Sequence, residues 1–371
     1  MLRRMPNLPS CIKFSFAAAL GALAAGCGAG DSGGSSSSCT AANPSQLEAQ
    51  MDAILSQAAS EVDFSYAVQR RDGRRYSFSR GNSTLQTTYQ SASVSKLVSA
   101  VIILRLVEQG HLSLASRPQD FIAGWPIGSG DSLFPMTLAQ LLSFTSGLTV
   151  EPDCLNDPGS DLESCVLSIA STNAGNGLAP GAEFLYASTH MHVAGLMAVN
   201  ARGVASWQSV FAEFKAQTAL FARSTFDLPS LANPRIAGGM HFTGEDYMAF
   251  FKALRDGLLL NGTSMSQMLA DHTANATIVY SPMFSGIGGG TGLGEDWHYG
   301  LGLWHECQSA TFNCVPGARV SSPGALGSYP FWDRNRGYTG IVVREGVFGA
   351  MVPGIMIERS VRPTMEAWAA C

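Results

Sequence analysis

From Val94 to Gln109 the chain reads VSKLVSAVIILRLVEQ, apolar around almost its whole helical circumference. A surface helix keeps a polar face, so this pattern predicts a helix enclosed in a core. Gly110 gives it a stop. Upstream, Pro44 to Glu61 has the spacing of an amphipathic helix. Phe64 to Val68 and Tyr76 to Ser79 read as strands joined by the turn Arg71-Asp72-Gly73-Arg74. Residues 111 to 275 are mostly helix and loop. Within them Thr137 to Phe144 is a short helix ending near Gly147, and Glu183 to Asn200 starts extended and turns helical. Thr243-Gly244-Glu245-Asp246 reads as a capping box that opens a helix running to about Leu254. After about residue 297 strand patterns return. They cover Tyr299–Trp304, Ala318–Ser321, Gly327–Trp332, Gly340–Arg344 and Met351–Glu358, with a hairpin turn at Asp333–Gly337 and a closing helix at Pro363–Ala370.

Strands thus open and close the chain, and helices fill its middle. This order predicts an α/β architecture of the α+β type. An antiparallel sheet comes from residues 42–85 and 280–371, flanked by helices, with a mostly helical region, 86–279, inserted. The 371 residues are 46% hydrophobic and 14% charged, enough for a large core. The net charge of −5 offers no basic surface for nucleic acid.

The first 26 residues read as a secretory signal, with Arg3 and Arg4 before the apolar run Phe14 to Ala25. Leu23-Ala24-Ala25-Gly26-Cys27 resembles a bacterial lipobox. That resemblance implies cleavage before Cys27 and attachment of lipid to its thiol; the alternative is a plain secretory leader. Residues 27–41, with the run GAGDSGGSSSS, form a flexible tether to the domain at 42–371. Gly28 is not aspartate, which by resemblance to bacterial lipoproteins implies the outer membrane of the cell envelope. Loss of Arg3, Arg4 and Lys13 would reduce 23 basic residues to 20 against 28 acidic, a net charge of −8. No later stretch is long enough to span a membrane as a helix. Beyond Cys11 and Cys27, six cysteines remain, an even set that suits disulfides in an exported protein. Fifteen pairings are open; the favoured ones are Cys154–Cys165, Cys307–Cys314 and Cys39–Cys371. No spacing of cysteine and histidine suggests a metal, and no cofactor is called for.

Candidate chemistry lies where the apolar helix begins. Ser93 and Lys96 are three residues apart and so share one face of its first turn. A buried lysine loses part of its preference for the charged form and can act as a base near neutral pH. A serine beside it is a potential nucleophile. Ser-x-x-Lys alone is weak: Ser10-Cys11-Ile12-Lys13 repeats it in the leader, and Ser91 or Ser93 would also serve as a helix cap.

Three further segments follow in order: Leu141-Leu142-Ser143-Phe144-Thr145-Ser146-Gly147-Leu148, Pro180-Gly181-Ala182-Glu183-Phe184-Leu185-Tyr186-Ala187-Ser188, and Ser321-Ser322-Pro323-Gly324-Ala325-Leu326-Gly327. With Ser93-Val94-Ser95-Lys96 they resemble the motifs of the serine beta-lactamase and penicillin-binding superfamily, in its class C-like branch, over about residues 44–371. Gly238-Gly239 before Thr243 also fits that branch. The resemblance implies a beta-lactamase/transpeptidase-like fold and an acyl-serine mechanism on a small-molecule ester or amide. By the same resemblance Ser93 would be the nucleophile, with Lys96 taking its proton or tuning the site. Tyr186 would be the partner base that later returns a proton to the leaving group, and the N–H groups of Ser93 and Ala325 would form the oxyanion hole. Ser188, Ser322, Pro323 and Gly324 would bind substrate.

The departures carry information. Phe144 replaces a histidine, and Ser188 replaces an asparagine whose amide would hold a substrate amide. Ser322-Pro323-Gly324 replaces Lys-Thr-Gly or His-x-Gly, so an anionic substrate loses a charge-assisted partner. The expected activity is therefore esterase-like. The alternatives are a beta-lactamase or D,D-carboxypeptidase, and a lipoprotein that keeps the fold for binding or sensing without turnover. Arg334 and Arg336 would replace the missing cation only if their turn folded over the cleft. The domain at 42–371 contains no GxSxG, and the glycine-rich run 286–294 does not fit GxGxxG. His190 and His192, two apart on a helix, face different ways and do not make a metal pair. Trp297, Tyr299 and Trp304 read as core.

Overall fold

The computed structural model describes residues 43–288 and 290–371. Helix α1 (Pro44–Ser56) opens on Asn43, which accepts from the Ser45 N–H and exchanges capping bonds with Gln46. It ends five residues before Glu61, short of the expected span. The hairpin β1 (Ser65–Arg70) and β2 (Arg75–Ser79) follows, then β3 (Thr88–Gln90), a 3-10 turn at 92–94 and α2 (Ser95–Glu108). Eleven of the fourteen residues of α2 are buried, as its apolar circumference requires.

The middle of the chain carries α3 (Leu138–Leu142), α4 (Leu162–Asn173), β4 (Glu183–Leu185), α5 (Thr189–Arg202), α6 (Trp207–Thr218), β5 (Thr225–Phe226), β6 (Met240–Thr243), α7 (Gly244–Arg255), α8 (Gly262–Met268), β7 (Thr277–Tyr280) and α9 (Pro282–Ser285). Two small sheets lie inside this helical region: β3–β6–β5, and the parallel pair β4–β7. Thr243 caps α7 by accepting from the Asp246 N–H (3.1 Å). The reciprocal half of the expected capping box is missing, because the Asp246 carboxylate takes the Ser224 hydroxyl instead (2.9 Å).

The chain returns through β8 (His298–Tyr299), β9 (Trp304–His305), β10 (Arg319–Ser321), β11 (Tyr329–Asp333) and β12 (Tyr338–Val343), and closes with α10 (Met351–Ala370). The main sheet has the order β2-β1-β12-β11-β10-β9-β8 and is antiparallel throughout. Its first and last strands in sequence lie side by side, with Ser65 opposite Val343 and Arg70 opposite Tyr338. All six residues of β12 are buried. Side chains alternate across a strand, so both of its faces are covered; α7 and α10 both pack against it.

Two expected strands are corrected. Tyr299–Trp304 is a tight hairpin, because Gly302 takes φ +80° and turns the chain between β8 and β9. A Cβ at Gly302 would come within 2.3 Å of the Ala100 side chain, so the turn packs directly on α2. Met351–Glu358 is not a strand but the first half of α10, and Pro363 lies inside that helix rather than opening it. An unbroken apolar run does not distinguish strand from buried helix. Met351, Ile355, Glu358, Val361, Met365 and Trp368 are buried at helical spacing. Pro353 falls in the first turn, where no N–H is needed. Buried Glu358 is neutralised from β10 by Arg319, whose Nη2 lies 2.8 Å away, and from its own helix by Arg362.

The disulfides Cys154–Cys165 and Cys307–Cys314 form as expected. The third pairing depends on Cys39, which with the leader, Cys27 and the tether lies outside the described residues.

Candidate active site

Ser93 sits in the 3-10 turn that feeds α2. The turn is made by Ala92, which adopts φ +41°, a left-handed conformation rare for a residue with a side chain. The turn is held from several sides. Ser95 Oγ donates to the Ala92 carbonyl (3.0 Å) and Tyr247 Oη to the Val94 carbonyl (3.0 Å). Ser91 is not a helix cap. Its hydroxyl accepts from the Met240 N–H (3.1 Å) and ties the turn to β6.

Lys96 Nζ lies 2.8 Å from Ser93 Oγ and 3.1 Å from the Ala237 carbonyl. The lysine is 3% exposed, while Ser93 is half-buried at the floor of a cleft. Burial pulls the Lys96 pKa down to about 7; the Glu151 carboxylate opposes this and Arg235 adds to it. The ammonium also lies over the Tyr186 ring, 4.6 Å from its centroid. A neutral amine in hydrogen-bond contact with a hydroxyl can take its proton as the oxygen attacks.

Tyr186 follows β4 and is clamped by aromatic rings. Trp304 lies 4.9 Å from it, Phe144 5.4 Å and Tyr299 6.0 Å, centroid to centroid. Phe144, which stands where the resemblance expects histidine, is therefore part of the packing behind Tyr186. Burial pushes the Tyr186 phenol well above its ordinary pKa, with the Ser93 and Trp304 side chains acting in the opposite sense. The phenol is neutral at physiological pH. The predicted aromatic trio Trp297, Tyr299 and Trp304 is fully buried and forms the wall behind it. His190 hydrogen-bonds to Ser146 (2.8 Å) and to the Leu185 carbonyl (3.0 Å), and His192 to Asn233 (3.0 Å). Among the described residues no cluster suits a metal ion.

Ala325 lines the cleft beside Ser93. Its carbonyl accepts from the Gly349 N–H (2.9 Å), while the turn around it uses the N–H groups of Gly324 and Gly327. This arrangement keeps the Ala325 N–H out of the turn's own hydrogen bonds. Ser322, Pro323 and Gly324 are buried behind Ser93 rather than lining the cleft. Ser322 Oγ donates to the Ser93 carbonyl (3.1 Å). Gly324 allows the close approach, since a Cβ there would fall 2.6 Å from the Ser91 carbonyl oxygen. Ser188 does line the cleft, and its N–H donates to Glu151.

Three charged groups in the cleft of about 340 Å³ were not anticipated from sequence: Glu151, Asp153 and Arg235. Arg235 donates from Nε and Nη2 to the Leu155 carbonyl (3.3 Å each). Its only sequence signal is its place two residues before Ala237-Gly238-Gly239. Arg334 and Arg336, considered above as substitute cations, line a separate surface hollow with Arg70 and Arg71. The cleft rim carries Ile287 of the glycine-rich run and Phe348, the latter 67% exposed.

An antiparallel sheet closed by both chain ends, with an inserted helical region, defines the beta-lactamase/transpeptidase-like fold. The chain belongs to the beta-lactamase family, whose sequence profile matches residues 62–350; members of this family are serine hydrolases. It is 24% identical over 275 residues to penicillin-binding protein 4 of Amycolatopsis lactamdurans, covering 64% of this chain and 71% of that one. Its fold is similar to a Bacteroides dorei protein assigned as a beta-lactamase (TM-score 0.69, 23% identity, 86% and 98% of the two chains). It is also similar to EstCE1, a hydrolase with promiscuous acyltransferase activity (TM-score 0.67, 18% identity, 85% and 98%).

Proposed function

We propose that this chain is an exported, lipid-anchored serine hydrolase that cleaves an ester, or less readily an amide, through an acyl-Ser93 intermediate. The observation that carries the reading is the 2.8 Å contact between Ser93 Oγ and a buried Lys96 at the floor of an open cleft. In acylation Ser93 Oγ attacks the substrate carbonyl carbon and its proton passes to Lys96. The N–H groups of Ser93 and Ala325 receive the oxyanion. The bond to the leaving group breaks, and the leaving oxygen takes a proton relayed from Lys96 through the neutral Tyr186 phenol. Water then repeats the sequence at the acyl-serine, releasing the acid and returning the proton to Ser93. The elevated pKa of Tyr186 supports Lys96 as the base and the phenol as the donor.

Preference for esters over beta-lactams rests on Ser188 and Ser322. Neither offers a side-chain amide or a cation, and Ser322 is engaged with the Ser93 carbonyl. Export rests on the leader pattern ending at Cys27 and is supported by two disulfides, which persist in oxidising compartments.

The test uses short-chain nitrophenyl esters, a chromogenic cephalosporin and a fluorophosphonate probe. The expected result is ester turnover with little cephalosporin hydrolysis, and labelling that is lost in Ser93→Ala. The reverse substrate preference would overturn the esterase reading; labelling that persists would overturn the assignment of the nucleophile. A single acyl group per chain with no steady state would favour the binding or sensing alternative.

A further inference from the structure

A second cavity of about 270 Å³ adjoins the cleft and shares Ala92, Arg235, Gly238 and Phe348 with it. Its wall is apolar, made mainly by Leu228, Pro229, Leu326 and Phe348. Arg235 is its sole charged lining residue, and Gln90 its one other polar side chain. Gln90 is already engaged: its N–H (2.8 Å) and Nε2 (3.1 Å) both donate to Glu345. The two acids of the cleft, Glu151 and Asp153, line the first cavity and not the second.

Arg235 has no ion-pair partner within 4 Å among the described residues. It is fixed by a single carbonyl, that of Leu155, through Nε and Nη2, and Nη1 has no acceptor among the described residues. Burial holds its pKa below the ordinary arginine value, and the Glu151 carboxylate acts on it only from a distance. A guanidinium stays charged in any protein setting. Partly desolvated without a counter-charge, it costs stability. Such a group, where two cavities meet beside a candidate nucleophile, is a receptor for a substrate charge.

We propose that Arg235 anchors a carboxylate on the substrate, and that the carboxylate's apolar surroundings occupy the second cavity. The assignment rests on the acyl-Ser93 reading for the identity of the reacting bond. A single cation in an apolar wall matches a monoanion; a dianionic phosphate would leave charge uncompensated. The guanidinium fork also suits the two coplanar oxygens of a carboxylate. Arg235 stands on the segment before β6 and not at the Ser322 position, so the carboxylate it would hold lies towards the second cavity.

The experiment compares 4-nitrophenyl butyrate with two anionic esters. Mono-4-nitrophenyl glutarate carries its carboxylate on the acyl side, and 3-butanoyloxybenzoate on the leaving-group side. The wild-type chain should prefer one of the anionic esters. In Arg235→Gln the ratio of kcat/KM for that ester to kcat/KM for the butyrate should fall about 10- to 100-fold, the loss expected for a charge-assisted hydrogen bond. Arg235→Lys, which keeps the charge without the fork, should fall between. A ratio unchanged by Arg235→Gln, with both esters slowed alike, would reduce Arg235 to a support for the Leu155 loop and overturn the proposal. Calorimetry of the anionic esters with Ser93→Ala, with and without Arg235→Gln, reads the anchor independently of turnover. Arg235-dependent binding without turnover in the wild-type chain would support the anchor and defeat the hydrolase reading. Turnover of neutral ester with no Arg235-dependent binding would do the opposite.

Discussion

Lys96 shows how one side chain links burial to chemistry. Its pKa of about 7 comes first from desolvation. Only the neutral amine can accept the Ser93 proton, so kcat/KM for an ester should rise with pH through about 7 and level off above 8. At pH 5 it should stand roughly 100-fold below the plateau, since a base of that pKa is then about 1% unprotonated. A pH–rate profile flat from 5 to 8 would exclude Lys96 as the base. The same depression is a stability statement. The folded pKa lies below the unfolded 10.5, so the unfolded chain holds more protons between about 7 and 10.5, and stability rises with pH across that window. Below pH 7 the full cost of burying the ammonium is present. Lys96→Met should therefore abolish activity yet raise Tm by roughly 2–4 °C at pH 6, with the advantage shrinking towards pH 10. Thermal melts of both proteins across that range check the sign.

At the level of elements, the site is an assembly of loops pinned to α2. The turn before α2, the strand end after β10 and the segment before β6 meet within hydrogen-bond distance of one another. Gly324 is the tightest of these contacts, with the Ser91 carbonyl oxygen 2.6 Å and the Val94 side chain 3.0 Å from where a Cβ would stand. Gly324→Ala should cost about 1–3 kcal/mol from overpacking and displace the Ala325 N–H, lowering kcat more than it raises KM. Denaturant melts and steady-state kinetics separate the two effects. The wall opposite is residues 151–157, held by the Cys154–Cys165 disulfide and by Asn233, whose Nδ2 donates to the Cys154 carbonyl (2.6 Å). Replacing both cysteines by serine should cost about 2–3 kcal/mol and raise KM by loosening Glu151 and Leu155. A lower Tm with KM unchanged would confine the disulfide to stability.

For the whole molecule, buried histidines set the acid limit. His190, His192 and His305 are held neutral, with pKa values near 3, 4 and 4, in each case first by burial. Their folded pKa values lie below the unfolded 6.5, so the stability they contribute is present above about pH 6.5 and lost as pH falls towards 4. Tm should drop steeply over that interval, and His305→Gln should flatten the slope. An unchanged slope would place the acid sensitivity in the carboxylate network around Arg319. That network joins β9, β10 and α10 through Glu306 and Glu358, so it ties together the late elements on which the sheet depends.

Much of the architecture was legible because it follows from local pattern. The apolar circumference of α2, the strand–turn–strand pattern of β1 and β2, and the cap at Thr243 each act over a few residues. The spacing of Ser93 and Lys96 predicted a shared face, since residues three apart stack on a helix. The run Met351–Glu358 was misread because a continuous apolar stretch takes its conformation from what covers it; here β11, β12 and α1 require a helix. The charge in the cleft was equally hidden. Arg235, Arg334 and Arg336 are alike as letters, and only the packing turns the first towards Ser93 and the other two away. The amino-acid order by itself determined the elements set by local pattern, the order of the motifs and the pairing of a hydroxyl with an amine. Tertiary structure decided the lysine's protonation, the ring that faces it and the cation that shares its cleft, because desolvation and Coulomb interactions depend on distances between segments far apart in the chain.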